Sequence, residues 1–183
     1  MECNACVISS HKPTRFKWKY NENNNGCKRL KRRVRDQLIR LYEQGVRRFY
    51  LDGSLGVDIW AGELLLELKE QPEYSDIELV LVLPFPRHDA EWDKVSRQRL
   101  SRLRQRSTEV VVAGTSENPP AVNFKLRDQY LINHTDCVLA VYDNNPEDRS
   151  AVNRVVTYAR RKNMPITLLH PDSAAASYEN QES

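Results

Sequence analysis

Short apolar runs alternate with longer amphipathic stretches along most of the chain. The runs fall at residues 5–9, 48–52, 77–83, 108–112, 137–141 and 165–169. Each is brief, rich in Val, Ile or Leu, and closed by turn residues, so each is predicted to be a strand. Several are apolar at consecutive positions, the pattern of strands covered on both faces. Between the first two runs, Leu30, Val34, Leu38, Leu41 and Tyr42 recur at helical spacing, and Gly45 fits the helix end. Trp60, Leu64 and Leu68 mark a second helix within residues 56–69, and Trp92, Val95 and Leu103 a third that runs to Arg106. Residues 124–133 read as a short helix, and Val152, Val155, Val156 and Ala159 mark the last. Six strand–helix alternations predict one α/β domain over residues 1–171, a mostly parallel sheet with helices on both faces in three layers. Residues 172–183, poor in large apolar side chains, read as a flexible tail.

Charge sharpens this picture. The 183 residues carry 28 Lys and Arg against 25 Asp and Glu, a net charge of +3. Residues 1–48 hold 13 basic and 4 acidic side chains, whereas residues 49–96 hold 3 and 11. The basic front and acidic middle imply an anion-binding face or two complementary surfaces. Residues 28–35 contain six basic side chains in eight, and residues 97–106 five arginines. Either cluster could grip nucleic acid; the alternative is a solvated helix face, with Leu30 and Val34 as the buried stripe. No apolar run approaches the roughly 18 residues of a membrane span, and the first residues lack the pattern of a signal peptide. A soluble, cytoplasmic protein with no membrane partner is expected. Cys3-x-x-Cys6 with Cys27 lacks an obvious fourth zinc ligand, so no metal site is assigned, and Cys137 reads as packing.

In parallel sheets of this kind, ligands bind at the carboxyl ends of the strands. After the first run come Ser9-Ser10-His11-Lys12-Pro13, where small residues admit a ligand and His11 and Lys12 could face an anion. After the second come Asp52-Gly53-Ser54-Leu55-Gly56-Val57-Asp58-Ile59-Trp60. Its glycines permit a tight turn, and it opens directly into a helix whose first amides are free for a phosphate or carboxylate. A plain strand–helix turn is the other reading. Asp58 could cap that helix or bond a ribose hydroxyl. Phe85, after the third run, could stack on a planar ligand or simply pack. Ser150 or Asp148 could cap the last helix. The expected site comprises Ser10, His11, Lys12, Gly53, Ser54, Gly56, Asp58 and Trp60, with Phe85, Arg127, Asp143, Arg149 and Ser150 as an outer wall.

Leu55-Gly56-Val57-Asp58-Ile59-Trp60-Ala61-Gly62-Glu63 resembles the signature of the YpsA-like family. Ser10-His11-Lys12-Pro13, Tyr20-Asn21-Glu22 with Cys27, Pro84-Phe85 with Trp92, and Phe124-Lys125-Leu126-Arg127-Asp128 are similar to its other segments, in the same order. The family belongs to the SLOG superfamily, which includes the DNA-processing protein DprA and the phosphoribohydrolases called LOG. The resemblance implies a Rossmann-like fold and a pocket for a nucleotide or nucleotide-derived ligand, with an NAD derivative among the possible ligands. It keeps two alternatives open: a DNA-binding accessory protein, and a hydrolase cleaving an N-glycosidic or phosphate bond with Glu63 or Asp58 as base. A homo-oligomer is also compatible with it. The sequence departs from the pattern at Ser10, at Asp52-Gly53 and at Arg149-Ser150-Ala151, where glycines are usual. Arg149 could compensate with a charged fork or block the pocket. The catalytic LOG signature is absent.

Overall fold

A computed structural model describes residues 2–181. Six of the seven strands match the predicted runs: β1 (Ala5–Ser10), β2 (Arg48–Leu51), β3 (Glu78–Leu83), β4 (Glu109–Val112), β5 (Cys137–Val141) and β6 (Ile166–Leu169). The helices are α1 (Asn25–Glu43), α2 (Val57–Lys69), α3 (Lys94–Arg106), α4 (Pro120–Asn133) and α5 (Ala151–Arg161). The strand order is β4-β3-β2-β1-β5-β6-β7, parallel through β6. It is a Rossmann-like α/β sheet in three layers.

Strand alternation builds two cores. Cys6, Ile8, Phe49, Leu51, Leu79, Leu81 and Leu83 face α1, α2 and α3. Val7, Tyr50, Val80, Val82, Val138 and Ala140 face α4 and α5. Both faces are buried, which is why the central strands read as continuous apolar runs rather than alternating ones. The helix starts have local causes. Asn24 accepts from the Gly26 N–H at 2.8 Å, Asp93 from the Ser96 N–H at 2.9 Å, and Ser150 from the Asn153 N–H at 3.3 Å. Helix α4 starts earlier than its stripe suggested, because Pro120 sits at its first position, where proline's missing N–H costs nothing.

Two expectations are corrected. Residues 172–183 are not read as a loose tail throughout, because Ala176–Glu179 form β7, antiparallel to β6. Backbone pairing and side-chain clamps hold this polar strand: Arg160 pairs with Glu179 at 2.8 Å, and the Arg40 guanidinium lies 4.1 Å from the Tyr178 ring centre. Residues 182–183 lie outside the described residues. Cys137 does more than pack: it is disulfide-bonded to Cys3, across 134 positions of sequence. The Cys3-x-x-Cys6 spacing is therefore not a functional pair, and Cys6 and Cys27 are buried free thiols.

Candidate functional site: a cleft at the strand ends

Strand β1 lies between β2 and β5. The chain leaves β1 through α1 towards β2 on one side and returns through α4 to β5 on the other. The loops therefore part at the carboxyl ends of β1 and β5, a topological switch point that opens a crevice. A cleft of about 390 Å³ lies there, bounded by the loops after β1 and β2, by α4, and by the start of α5.

The loop after β2 depends on its glycines. Gly53 has φ +74°, and a Cβ there would come within 2.6 Å of Leu83 Cδ2. Gly56 has φ +90°, and its Cβ would meet Pro13 Cγ at 2.9 Å. Both backbone shape and space exclude a side chain. The loop is also tied from within. The Ser54 N–H donates to Asp52 Oδ1 at 2.9 Å, and the Asp52 N–H donates to Asp58 Oδ2 at 2.6 Å. Asp58 thus fastens the loop and does not cap α2, whose N-cap, Gly56, offers no side chain.

Beneath the loop runs a buried charge cluster. Arg127 Nη1 donates to the Asp52 carbonyl at 3.3 Å, and Nη2 lies 3.9 Å from Asp52 Oδ2 and 3.0 Å from Asp128 Oδ1. Asp128 Oδ2 meets Arg154 at 3.1 Å. Burial, and then the charge of Asp52, push the Asp58 carboxyl well above its ordinary range. Burial opposes ionisation of Asp52 too, but Arg127 and hydrogen bonds from Asp58 and Ser54 hold its carboxyl below the usual range. Asp58 therefore holds its proton more firmly than Asp52, whose carboxyl faces Arg127. Burial works against the Arg127 charge, but Asp52 and Asp128 outweigh it and raise its pKa.

Of the expected site residues, Ser10, His11, Lys12, Ser54, Asp58, Arg127, Arg149 and Ser150 border the cleft. Arg127 sits in its floor rather than its outer wall, only 4% exposed, because Asp52 and Asp128 hold it inward. Gly53 underlies the loop with its carbonyl 3.1 Å from His88 Nε2, and Gly56 lies on the far side, towards a second cavity. Three residues are elsewhere. Phe85 packs edge-to-face on Phe124 and His88, and Phe124 takes the place at the cleft. Trp60 faces away, in the second cavity, with Lys31 Nζ 5.4 Å from its ring. Asp143 turns towards Arg15 Nη2 at 2.9 Å and His11 Nε2 at 3.2 Å. Glu63 pairs with Arg99 outside the cleft, which removes it as a base there. Arg149 stands exposed at the cleft and does not fill it.

His11, Asp143 and Asp148 bring three metal-type donor atoms within 4.8 Å of one another. Several of their donor positions are engaged by neighbouring protein groups. Asp148 accepts from the Ser150 N–H at 3.0 Å and from Ser150 Oγ at 2.6 Å, Asp143 accepts from Arg15, and His11 Nε2 receives the Asp143 N–H at 3.2 Å. The group is a polar latch between β1 and the loop after β5, and Ser150, as expected, caps α5. Asp52, Phe124, Asp128 and Arg154 were missed by sequence reasoning. Phe124 had a signal: it precedes Arg127 by three helical positions, so the two share a face, and the guanidinium lies 5.1 Å from the ring centre. On α1, Lys28, Arg29, Arg32 and Arg33 are exposed, whereas Lys31 is bonded to Glu22. On α3, Arg99 is matched by Glu63 of α2 and Arg106 by Glu70, just past the end of α2.

No helix among the described residues is long and apolar enough to cross a membrane. The chain is similar to UPF0398 protein BH1768 of Halalkalibacterium halodurans, 26% identical over 83% of this chain and 80% of that protein. It is also similar to UPF0398 protein SH1465 of Staphylococcus haemolyticus, 25% identical over 64% of this chain and 62% of the relative's length. UPF0398 protein SERP1017 of Staphylococcus epidermidis is 27% identical over the same shares. Residues 6–174 match the YpsA family model, described as the YspA SLOG family, which spans the sheet from β1 to the residues before β7. The chain belongs to the YpsA family of SLOG proteins.

Proposed function

We propose that this protein binds a nucleotide or nucleotide-derived ligand in the strand-end cleft, with the ligand's phosphate over the loop after β2. The observation that carries this reading is the set of basic side chains at one opening. Lys12, Lys125, Arg149 and Arg154 border the cleft from three separate chain segments, and all four are exposed. Among the described residues no ion pair engages Lys12, Lys125 or Arg149, so their charge is free for an anion. The start of α2 adds first-turn amides with no side-chain cap. Phe124, 38% exposed, offers an aromatic face beside them. The reading is of binding, not turnover: Asp52 and Asp58 are committed to the buried cluster, and Glu63 to Arg99.

Calorimetric titration with ADP and with inorganic pyrophosphate tests it. Reversing both Lys12 and Arg149 (Lys12→Glu, Arg149→Glu) is expected to weaken binding at least about tenfold, a loss of about 1.4 kcal/mol. Both residues are exposed, so near-ultraviolet circular dichroism should stay unchanged. Binding should also weaken as salt rises. Affinity equal to that of the wild type in the double variant would place the anion elsewhere.

A further inference from the structure

We infer that the solvent face of α1 is a docking surface for the phosphate backbone of duplex nucleic acid, separate from the strand-end cleft. Leu30, Val34 and Leu38 form the buried stripe of this helix. At about 100° per residue, Lys28, Arg29, Arg32, Arg33 and Arg35 fall away from that stripe. The first four are exposed and Arg35 is half-buried.

This face repels itself. Lys28 and Arg32 are four positions apart, as are Arg29 and Arg33, so two like-charged pairs stand as neighbours along the helix. Among the described residues none of the five is in an ion pair. Arg29 instead donates to the Asp172 carbonyl at 3.1 Å, while the Asp172 carboxylate pairs with Arg15. Asp36 is the one acid within residues 28–36. The first turn of α1 holds no acidic side chain, and cations close to a helix start oppose its dipole. On α3, by contrast, Arg99 and Arg106 are answered by Glu63 and Glu70. A face that needed only to be solvated would mix both signs. This one stores a repulsion that a polyanion relieves. Lys17, exposed in the turn before α1, lies by Asp172 and so beside Arg29, and it lengthens the strip.

The chemistry of the strip selects its partner. Residues 28–35 span about 10 Å of helix, and a duplex carries about one phosphate per 1.7 Å of axis, so several phosphates face the strip at once. Four of the five cations are arginines, whose planar fork matches a phosphate. Residues 28–36 contain no aromatic side chain, so charge and not base stacking carries the contact, which fits a duplex better than a single strand. An anionic membrane would call for an apolar face to insert, and the apolar face of α1 lies in the core.

Fluorescence anisotropy of a labelled short DNA duplex tests this. Contact with about three phosphates gives a salt slope of about −2.7, so affinity should fall about fortyfold between about 50 and about 200 mM salt. Two duplexes of different sequence should bind equally. The double reversal Arg32→Glu, Arg33→Glu should weaken duplex binding at least about tenfold and reduce the slope by about 2. It should not lower the urea midpoint, because each new glutamate faces a cation four positions earlier. Pyrophosphate binding at the strand-end cleft should be unchanged in that variant, whereas reversal of Lys12 and Arg149 should retain duplex binding. No duplex binding at low salt, affinity indifferent to salt, or wild-type affinity in the Arg32→Glu, Arg33→Glu variant would overturn the inference. So would equal binding of poly-glutamate or of phosphatidylserine vesicles at matched charge. None of these results touches the cleft reading, which stands or falls on pyrophosphate and ADP.

Discussion

Arg127→Met is expected to cost about 3–5 kcal/mol of folding stability, although Met nearly matches the aliphatic part of Arg in length. The loss comes from what the arginine leaves behind. Asp52 and Asp128 are 7% and 6% exposed, and Arg127 is a shared partner for both. Without it, one carboxylate loses its buried counter-charge and the other keeps only the half-exposed Arg154. The Asp52 carbonyl and Ser54 Oγ also lose a donor, so the loop after β2 loosens. In urea unfolding, the midpoint should fall by at least about 1 M. Adding Asp52→Asn to Arg127→Met should recover part of the loss, because it removes the stranded charge. If the single variant unfolds at the wild-type midpoint, the cluster does not hold the loop.

The second large effect is on pH dependence. Asp58 is pushed up by burial and by Asp52, so the folded protein keeps a proton that the unfolded chain releases above about pH 4. Its contribution to stability is therefore complete below that value and is lost as pH rises through the raised folded value. Asp52 has the opposite sign. Its lowered folded value adds stability above the ordinary carboxylate range, which is lost as pH falls. The pair should thus produce a stability maximum, with a decline on the alkaline side set by Asp58. Asp58→Asn removes that titration and still offers Asp52 a neutral partner. Urea midpoints measured from about pH 5 to about pH 9 should fall in the wild type and stay level in the variant. A wild-type profile as flat as that of Asp58→Asn would mean that Asp58 is ionised in the folded state.

Much of the fold was legible because the central strands are covered on both faces, while the exposed edge strand β4 is marked by its run of valines. The central apolar runs cannot be moved without exposing several large side chains, so their boundaries fall within a residue or so of the structure. Strand β7 was not legible. Ala176–Glu179 are held by backbone pairing to β6 and by polar side-chain clamps, and their side chains are mostly exposed, so no hydrophobic pattern marks them. The glycines of the loop after β2 were legible as a tight turn, and their positive φ angles bear that out. The Asp52–Asp58–Arg127 cluster was not, because it joins residues 75 positions apart and depends on where α4 docks. The exchange of Phe85 for Phe124 has the same origin: both are flanked by plausible site residues, and only packing decides which ring reaches the cleft.

In the proposed function, the strand-end cleft receives the phosphate of a nucleotide-type ligand. Amide nitrogen–proton correlation spectra of the protein, recorded with and without ADP, test it most directly. The largest shifts are expected at Ser54, Leu55, Val57 and Ile59, at Arg149 and Ser150, and at the Lys12 amide. Spectra unchanged by ADP, or shifts confined to the basic face of α1 around Arg32 and Arg33, would contradict the claim.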